Sequence, residues 1–195
     1  MAAYSARYDA ALVSVIRAHQ SQERKGSDIP YASHPIHVSV ILLRHGFSED
    51  VAIAGLLHDA VEDQEYPLTR IRADFGPAVA KMVASVTERK REGGARRPWE
   101  VRKQEALEHM RRASRGAVAL KAADLLHNAR SLAAQLRKTG SASWKHFSRG
   151  PEQTLGYYRS VAVLARERLG PHPLIEEMEE AVRDLEQAIA ETGAA

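Results

Sequence analysis

The sequence contains no cysteine among its 195 residues. That absence excludes disulfides, thiolate metal ligands and cysteine nucleophiles, so a metal site in this chain must use histidine and carboxylate side chains. Long apolar runs are also missing, since charges such as Arg44 and Lys121 interrupt the most hydrophobic stretches. Because no signal-peptide pattern precedes Arg7 and Asp9, we expect a cytoplasmic protein that does not contact membranes.

Aromatic residues are scarce, at 6% of the chain, and the net charge is only +3. The cations concentrate in a basic stretch over 89–97, which carries five Lys or Arg residues around Gly93-Gly94. This stretch fits either a solvated, mobile loop or a segment that steers phosphate groups. Arg24-Lys25 likewise fits either cations favoured by a helix C-terminus or a phosphate contact. Without interleaved aromatics or a docking motif, nucleic acid is not an expected partner.

Sustained strand alternation is absent as well, and we predict an all-α chain. Apolar residues recur at helical spacing, and Pro, Gly and capping residues separate the repeats. The most apolar of the predicted helices, rich in Ala and Leu, is expected to be central. We predict a single domain over 1–195 with a frayed tail from about 191. The expected helices cover 4–22, 35–46, 51–63, 69–76, 77–86, 98–110, 117–136, 151–169 and 173–190.

One predicted helix carries four polar residues near its end, namely His58, Asp59, Glu62 and Asp63. At helical spacing the second pair lies one turn after the first, so the four side chains form one polar patch. An imidazole and a carboxylate are suitable ligands for a divalent cation, and the two further acids can hold or deprotonate water. Acids at a helix C-terminus oppose the helix dipole, which favours a bound cation over acids that merely lie in solvent.

A complete metal site needs further ligands from elsewhere in the chain. His34 precedes Pro35 at a predicted helix start, where its imidazole can point inward. The alternative is a surface or capping histidine. His37 lies one turn further on and competes with His34 for the same role.

Asp124 lies midway through the most apolar helix, where a buried carboxylate needs a cation or a strong hydrogen-bond network. Lys121 and Asn128 share its helix face, and His127 lies on the same side. The pattern is compatible with a metal ligand and also with a Lys121–Asp124 ion pair at a helix contact. Spacing alone does not exclude His127 as a ligand.

Several blocks of residues occur in a fixed order: Ala18-His19-x-x-Gln22-x-Arg24-Lys25-x-Ser27, Pro30-Tyr31-x-x-His34-Pro35, Leu56-Leu57-His58-Asp59-x-x-Glu62-Asp63, Phe75-Gly76-x-x-Val79, Val86-Thr87, and Lys121-x-x-Asp124-x-x-His127-Asn128. This order resembles the hydrolase domain of the RelA/SpoT alarmone enzymes. It is most similar to the stand-alone form, the small alarmone hydrolases. The resemblance extends from Tyr8 to about Leu169, and the joint occurrence of the blocks is more specific than any single block.

The resemblance implies an HD-type helical bundle with a metal site between central helices. One divalent ion, manganese by preference, would be bound by His34, His58, Asp59 and Asp124. Glu62 and Asp63 would activate or position the attacking water. A nucleotide substrate would contact Arg24, Lys25 and Asn128.

The reaction that the resemblance implies removes the 3′-diphosphate from ppGpp or pppGpp, leaving GDP or GTP and pyrophosphate. The enzyme would act as a monomer or a small homo-oligomer. Adenine alarmones and broader phosphohydrolysis, such as removal of the 2′-phosphate of NADPH, remain alternatives. A non-catalytic alarmone-binding module is a further alternative. The resemblance carries over no contact for the basic stretch, and Tyr157-Tyr158 only marks the region where the family has an aromatic residue.

Overall fold

The computed structural model describes residues 5–63 and 66–193, and only the backbone of Glu62 and Asp63. Within these residues the fold is all-α, as predicted, apart from a short antiparallel hairpin. None of the described helices combines the length and the apolar character needed to cross a membrane. The elements are α1 Ala6–Ala18, α2 Ser33–Arg44, α3 Glu49–Leu57, α4 Ala60–Asp63, α5 Leu68–Phe75, α6 Pro77–Val86, β1 Arg91–Glu92, β2 Ala95–Arg96, α7 Trp99–Arg112, α8 Arg115–Thr139, a 3₁₀ helix Gly140–His146, α9 Pro151–Leu169 and α10 Pro173–Gly193.

Helix α8 is the centre of the fold, and α2, α3, α6, α9 and α10 all pack against it. Its buried residues lie on nearly every side, as expected for a central helix. Leu120, Leu126 and Leu136 are fully buried there. Truncating such side chains to Ala costs about 2–5 kcal/mol in well-packed cores. Because this packing holds α8 in place, it also holds Asp124 in place relative to α2 and α3.

A glycine allows α2 and α3 to approach each other closely. A Cβ added to Gly55 would lie 2.9 Å from Leu42 Cδ1 and 3.3 Å from the Ser39 Cα, so a larger residue would force the helices apart. The approach brings the first turn of α2 beside the end of α3. The imidazoles of His34 and His58 consequently lie 5.3 Å apart between ring centroids.

Helix α1 ends at Ala18, earlier than the predicted end at Gln22. The chain then turns back on itself, and the Arg24 N–H group donates to the Ile29 carbonyl over 2.8 Å. Gly26 lies in this turn with a φ of 72°, a conformation that residues with a side chain rarely adopt. Arg24 therefore lies on an ordered turn and not at the end of a helix.

The predicted helix over 51–63 is interrupted, because α3 and α4 are separate helices joined by a turn at His58 and Asp59. The Nδ1–H group of His58 donates to the Gly55 carbonyl over 2.8 Å. In a continuous helix that carbonyl would accept the N–H group of Asp59, so the His58 side chain competes with the helical bond. The His-Asp pair thus lies at a helix junction and not within a helix.

The basic stretch is ordered as a hairpin, with Arg91 paired to Arg96 and Glu92 paired to Ala95. The turn is formed by Gly93-Gly94, whose φ angles are 55° and 83°. Two glycines allow the positive φ values that a tight hairpin turn requires. The stretch is thus largely exposed, as expected of a solvated segment, but its backbone is paired as a hairpin, and its mobility stays a prediction.

The last helix is longer than predicted. Helix α10 continues to Gly193, past the predicted helix end at about 190, and the expected fraying from about 191 stays a prediction. Ala194 and Ala195 lie outside the described residues. The apolar face of α10 packs on α8 and α9, with Leu185 and Ala188 fully buried. This packing reaches close to the end of the helix and stabilises its last turns.

Candidate metal centre and cleft

Four of the residues expected from the sequence meet where α2, α8 and the α3–α4 junction come together. Nε2 of His34 lies 3.6 Å from Oδ2 of Asp59 and 3.3 Å from Oδ1 of Asp124. Nε2 of His58 lies 3.3 Å from Oδ2 of Asp59 and 3.8 Å from Oδ1 of Asp124. We call these four residues the histidine–aspartate site.

These distances fit a divalent cation. An ion bound at about 2.1 Å from its ligands keeps neighbouring donor atoms about 3 Å apart, slightly closer than the donors lie here. Ligand atoms of His34, His58 and Asp59 all lie within 4.8 Å of one another. Nε2 of His58 is buried and has no hydrogen-bond partner among the described residues. A buried polar atom of this kind needs a partner, and a metal ion between the carboxylates supplies one.

The protonation of the two histidines is shaped by burial and by the neighbouring acids. Burial lowers the pKa of His34, and this effect outweighs the nearby carboxylates. Burial also opposes a charge on His58, but the carboxylates of Asp59 and Asp124 outweigh it and raise the pKa of His58 to about 9. In the absence of a metal ion, a proton on His58 therefore offsets part of the carboxylate charge.

The two aspartates are held by specific hydrogen-bond donors. The Tyr31 hydroxyl donates to Oδ2 of Asp59 over 2.6 Å. Oδ2 of Asp124 accepts from Nζ of Lys121 over 2.9 Å, and its Oδ1 accepts from Nδ2 of Asn128 over 2.5 Å. Although burial alone would raise it, the charge of Lys121 and the neighbouring histidines hold the pKa of Asp124 well below its usual range. The Lys121–Asp124 ion pair is therefore present, and it leaves Oδ1 facing the histidines, where a metal ion could bind it.

His37 and His127, the two alternative histidine ligands, form a line of contacts that starts at Nδ1 of His34. Nδ1 of His127 lies 2.8 Å from Nδ1 of His34, and the ring of His37 stacks on His127 with centroids 4.8 Å apart. Burial, followed by the charges of His34 and Arg24, lowers the pKa of His127 to about 3. Both ring nitrogens of His127 are thus directed at other imidazoles.

Glu62 and Asp63 were predicted to act on the water. Their backbone belongs to α4, directly after the His-Asp turn, while their side chains lie outside the described residues. Their roles therefore remain predictions.

The histidine–aspartate site lies in a cleft of about 1080 Å³, which Arg24, Lys25 and Asn128 also line. The guanidinium of Arg24 donates to the Asn128 Oδ1 over 3.0 Å and lies 5.7 Å from the centroid of the Tyr31 ring. A hydrogen-bonded chain therefore runs from Arg24 through Asn128 to Asp124. The three residues predicted to bind substrate are thus beside the four predicted metal ligands.

A positively charged surface forms another side of the cleft, and we call it the basic wall. Glu88 offsets part of its charge, accepting from NH1 of Arg102 over 2.8 Å and from Nζ of Lys103 over 2.5 Å. Burial lowers the pKa of Lys103 in spite of the Glu88 carboxylate. The Lys103 ammonium also lies 4.6 Å from the centroid of the Tyr157 ring. The members of the wall that line the cleft are Lys90, Arg96, Arg102, Lys103 and Lys121.

The basic stretch contributes only in part to this wall. Lys90 and Arg96 line the cleft, whereas Arg97 binds the Glu105 carboxylate through two hydrogen bonds of 2.5 and 2.7 Å. Arg89 lies 3.2 Å from the Glu92 carboxylate. The phosphate-steering interpretation therefore fits two of the cations of the stretch.

Sequence reasoning missed Glu88, Arg102 and Lys103. No sequence pattern marks them, since each is an ordinary charged residue. Their contact arises only where the segment after α6 meets α7 in the fold. Tyr157 and Tyr158, which mark the region where the family has an aromatic residue, both line the cleft.

The fold and the site together define an all-α protein with a candidate divalent-metal centre of histidine and aspartate beside a cationic cleft. A family model described as HD domain matches residues 11–147, and the chain belongs to this family.

Known proteins of this kind are similar to most of the chain. A GTP pyrophosphokinase of Streptomyces coelicolor is 42% identical over 118 residues, covering 60% of this chain and 14% of that protein. The Mus musculus guanosine-3′,5′-bis(diphosphate) 3′-pyrophosphohydrolase MESH1 is 37% identical over 117 residues, covering 58% of this chain and 63% of that protein. The solved structure of a metazoan ortholog of SpoT that hydrolyzes ppGpp matches with a TM-score of 0.76 and 26% identity, over 97% of this chain and 99% of that chain.

The chain thus spans 14% of the Streptomyces enzyme and 63% of the mouse enzyme. The HD-family membership that the motifs indicated is confirmed by the family model, and the mouse relative and the solved structure agree with the similarity to SpoT-related enzymes.

Proposed function

We propose that this protein is a metal-dependent hydrolase that removes the 3′-diphosphate from ppGpp or pppGpp, releasing pyrophosphate and GDP or GTP. The observation that carries the proposal is the meeting of two histidines and two aspartates at one end of a cationic cleft. The activities for which the mouse relative and the metazoan SpoT ortholog are named agree with it.

His34, His58, Asp59 and Asp124 would hold one divalent ion, and we propose manganese. Imidazole and carboxylate ligands suit manganese, iron and zinc alike, so the preference for manganese follows from the resemblance and not from the ligand types. When bound, such an ion lowers the pKa of a coordinated water towards neutrality and offsets charge on a phosphoryl oxygen.

Glu62 and Asp63 are proposed to position the attacking water and to accept its proton. Their backbone follows the His-Asp turn within one turn of helix, close in the chain to the proposed ligands His58 and Asp59. The water oxygen forms the new bond to the 3′-side phosphorus, the bond from that phosphorus to the ribose 3′ oxygen breaks, and the ribose keeps a hydroxyl. The proton that the water loses is thereby available to the leaving oxygen.

Arg24, Lys25 and Asn128 are proposed to hold the nucleotide. Arg24 already lies beside Asn128 at 3.0 Å and near the Tyr31 ring, so its position is set before substrate arrives. The basic wall favours a ligand with several phosphate groups, since Lys and Arg in a shared cleft raise the local concentration of anions. A guanidinium can in addition stack on a purine face.

We further propose that the whole chain forms one domain. The matched family region ends at residue 147, but α9 and α10 pack on the central helix α8 that carries Asp124. A contact of this kind couples the stability of the last two helices to that of the site.

The test is a substrate panel scored by product. Purified protein with Mn²⁺ is incubated with ppGpp, pppGpp, an adenine alarmone and NADPH. Pyrophosphate from the guanine alarmones is the expected product. Pyrophosphate from the adenine compound alone would change the substrate, and orthophosphate from NADPH would favour the broader phosphatase. An absence of turnover of all four compounds at several divalent metals would overturn the proposal.

Variants separate catalysis from binding. We expect Glu62→Gln to abolish turnover while leaving the Mn²⁺ affinity nearly unchanged, because Glu62 is not a proposed ligand. Full activity in this variant would contradict the role proposed for Glu62. Metal binding and alarmone binding without turnover in the unchanged protein would favour the non-catalytic module.

A further inference from the structure

Three imidazoles form a continuous line that begins at the histidine–aspartate site. Nδ1 of His127 lies 2.8 Å from Nδ1 of His34, and Nε2 of His127 lies 3.2 Å from Nδ1 of His37. His34 is 1% exposed, whereas His37 is exposed and lines the cleft. The line therefore connects a buried proposed metal ligand to solvent.

Each of these two contacts requires one hydrogen, because a hydrogen bond joins an N–H group to a lone pair. With neutral rings, two hydrogen orders satisfy both contacts. In the outward order, His34 Nδ1–H donates to His127, and His127 Nε2–H donates to His37. In the inward order, His37 Nδ1–H donates to His127 Nε2, and His127 Nδ1–H donates to His34 Nδ1.

The two orders differ at Nε2 of His34, the atom that faces Asp124 at 3.3 Å. A neutral imidazole has one N–H group, so the outward order leaves a lone pair on Nε2 and the inward order leaves a hydrogen there. A metal ion binds a lone pair and not an N–H group. Only the outward order is compatible with His34 as a ligand.

The other proposed imidazole ligand is oriented in the same sense. Nδ1 of His58 lies 2.8 Å from the Gly55 carbonyl, which can only accept, so the hydrogen of neutral His58 lies on Nδ1 and its Nε2 faces the carboxylates. At His34, a ring nitrogen of His127 takes the position that the Gly55 carbonyl has at His58.

We propose that His127 is a positioning residue, which accepts the Nδ1 hydrogen of His34 and so keeps the lone pair of His34 Nε2 directed into the site. His37 accepts from His127 in turn and completes the order. The inference rests on the metal site of the proposed function but not on its substrate. It also separates His127 from the ligands, because both of its ring nitrogens are used in the line.

Amide variants test which nitrogen of His127 matters. Asn at 127 places an amide oxygen near the position of Nδ1, Gln places it near Nε2, and Leu supplies neither. Mn²⁺ dissociation constants of the full chain are measured from the electron paramagnetic resonance signal of free Mn²⁺. We expect His127→Leu and His127→Gln to weaken binding by about 10–100-fold, as outer partners of metal-bound histidines usually do, and His127→Asn to stay within about threefold. His109→Leu, at an exposed histidine of α7, is the control and should change nothing.

A spectroscopic readout distinguishes the hydrogen order from a loss of packing. In the Zn²⁺-loaded, ¹⁵N-labelled protein we expect the ring hydrogen of His34 on Nδ1, both in the unchanged chain and in His127→Asn. A hydrogen on Nε2, or equal Mn²⁺ affinity in the Leu, Gln and Asn variants, would overturn the inference while leaving the proposed function intact. If the unchanged protein binds no divalent ion, the metal site of the proposed function fails and the inference fails with it.

Discussion

The cleft combines two regions of opposite character. The histidine–aspartate site brings two carboxylates together with two imidazoles, and the distances from histidine Nε2 to aspartate oxygen are 3.3–3.8 Å. The basic wall brings five cations to the same cleft, and Glu88 is the shared hydrogen-bond partner of Arg102 and Lys103. Each region concentrates charge that is costly without a counter-ion. The first region therefore suits a bound cation, and the second suits a ligand with several negative charges.

The first prediction removes an acid from the histidine–aspartate site. We expect Asp59→Ala to lower turnover by at least about 1000-fold, equivalent to about 4 kcal/mol in the activation barrier, because a proposed ligand and the partner of Tyr31 are lost together. Pyrophosphate release from ppGpp is the measurement. Asp50→Ala is the matched control, since Asp50 pairs with Arg7 away from the cleft. A variant that keeps a tenth of the activity would contradict the assignment of Asp59.

The second prediction affects the basic wall through stability. The Glu88 side chain is 9% exposed and binds Arg102, whose side chain is 7% exposed, together with Lys103. Glu88→Gln leaves these cations without their carboxylate, and removing one partner of a buried pair typically costs about 3 kcal/mol. We expect the free energy of unfolding in urea to fall by about that amount. An unchanged midpoint would mean that solvent already screens the wall.

The two regions also differ in how far the sequence predicts them. The fold class follows from helical periodicity. The residues of the histidine–aspartate site stand out locally as candidates, but each also fits an ordinary structural role, and only the resemblance joined the four into one site. The basic wall is not predictable, since Glu88 and Arg102 meet only through the packing of α6 and α7. Even the motif is misjudged in its geometry, because a side-chain bond from His58 to Gly55 interrupts the expected helix.

The third prediction uses the raised pKa of His58, about 9 in the absence of metal. Below that pH the ring is protonated on both nitrogens, and the proton on Nε2 must leave before this atom can bind a metal ion. Binding therefore releases a proton, and the Mn²⁺ affinity should rise about tenfold per pH unit from about pH 6 to about pH 8. Calorimetry in buffers of different ionisation enthalpy counts the proton. An affinity independent of pH over this range would show that His58 is already neutral in the metal-free protein.

The smallest expected effect is at an exposed ion pair beside the wall. Arg97 binds Glu105 with two hydrogen bonds, but the Glu105 side chain is 44% exposed. Exposed pairs contribute about 0–1 kcal/mol, because water screens the charges and both side chains lose freedom in forming them. We therefore expect Glu105→Gln to lower the free energy of unfolding by less than about 1 kcal/mol, in contrast to Glu88→Gln, and urea denaturation of both variants is the measurement. Equal losses in the two variants would mean that burial is not what separates the wall from its surroundings. A much smaller loss at Glu105 would show that the buried carboxylate of Glu88 contributes most of the electrostatic stabilisation on this side of the cleft. Glu88 is also the residue that holds Lys103 beside Tyr157.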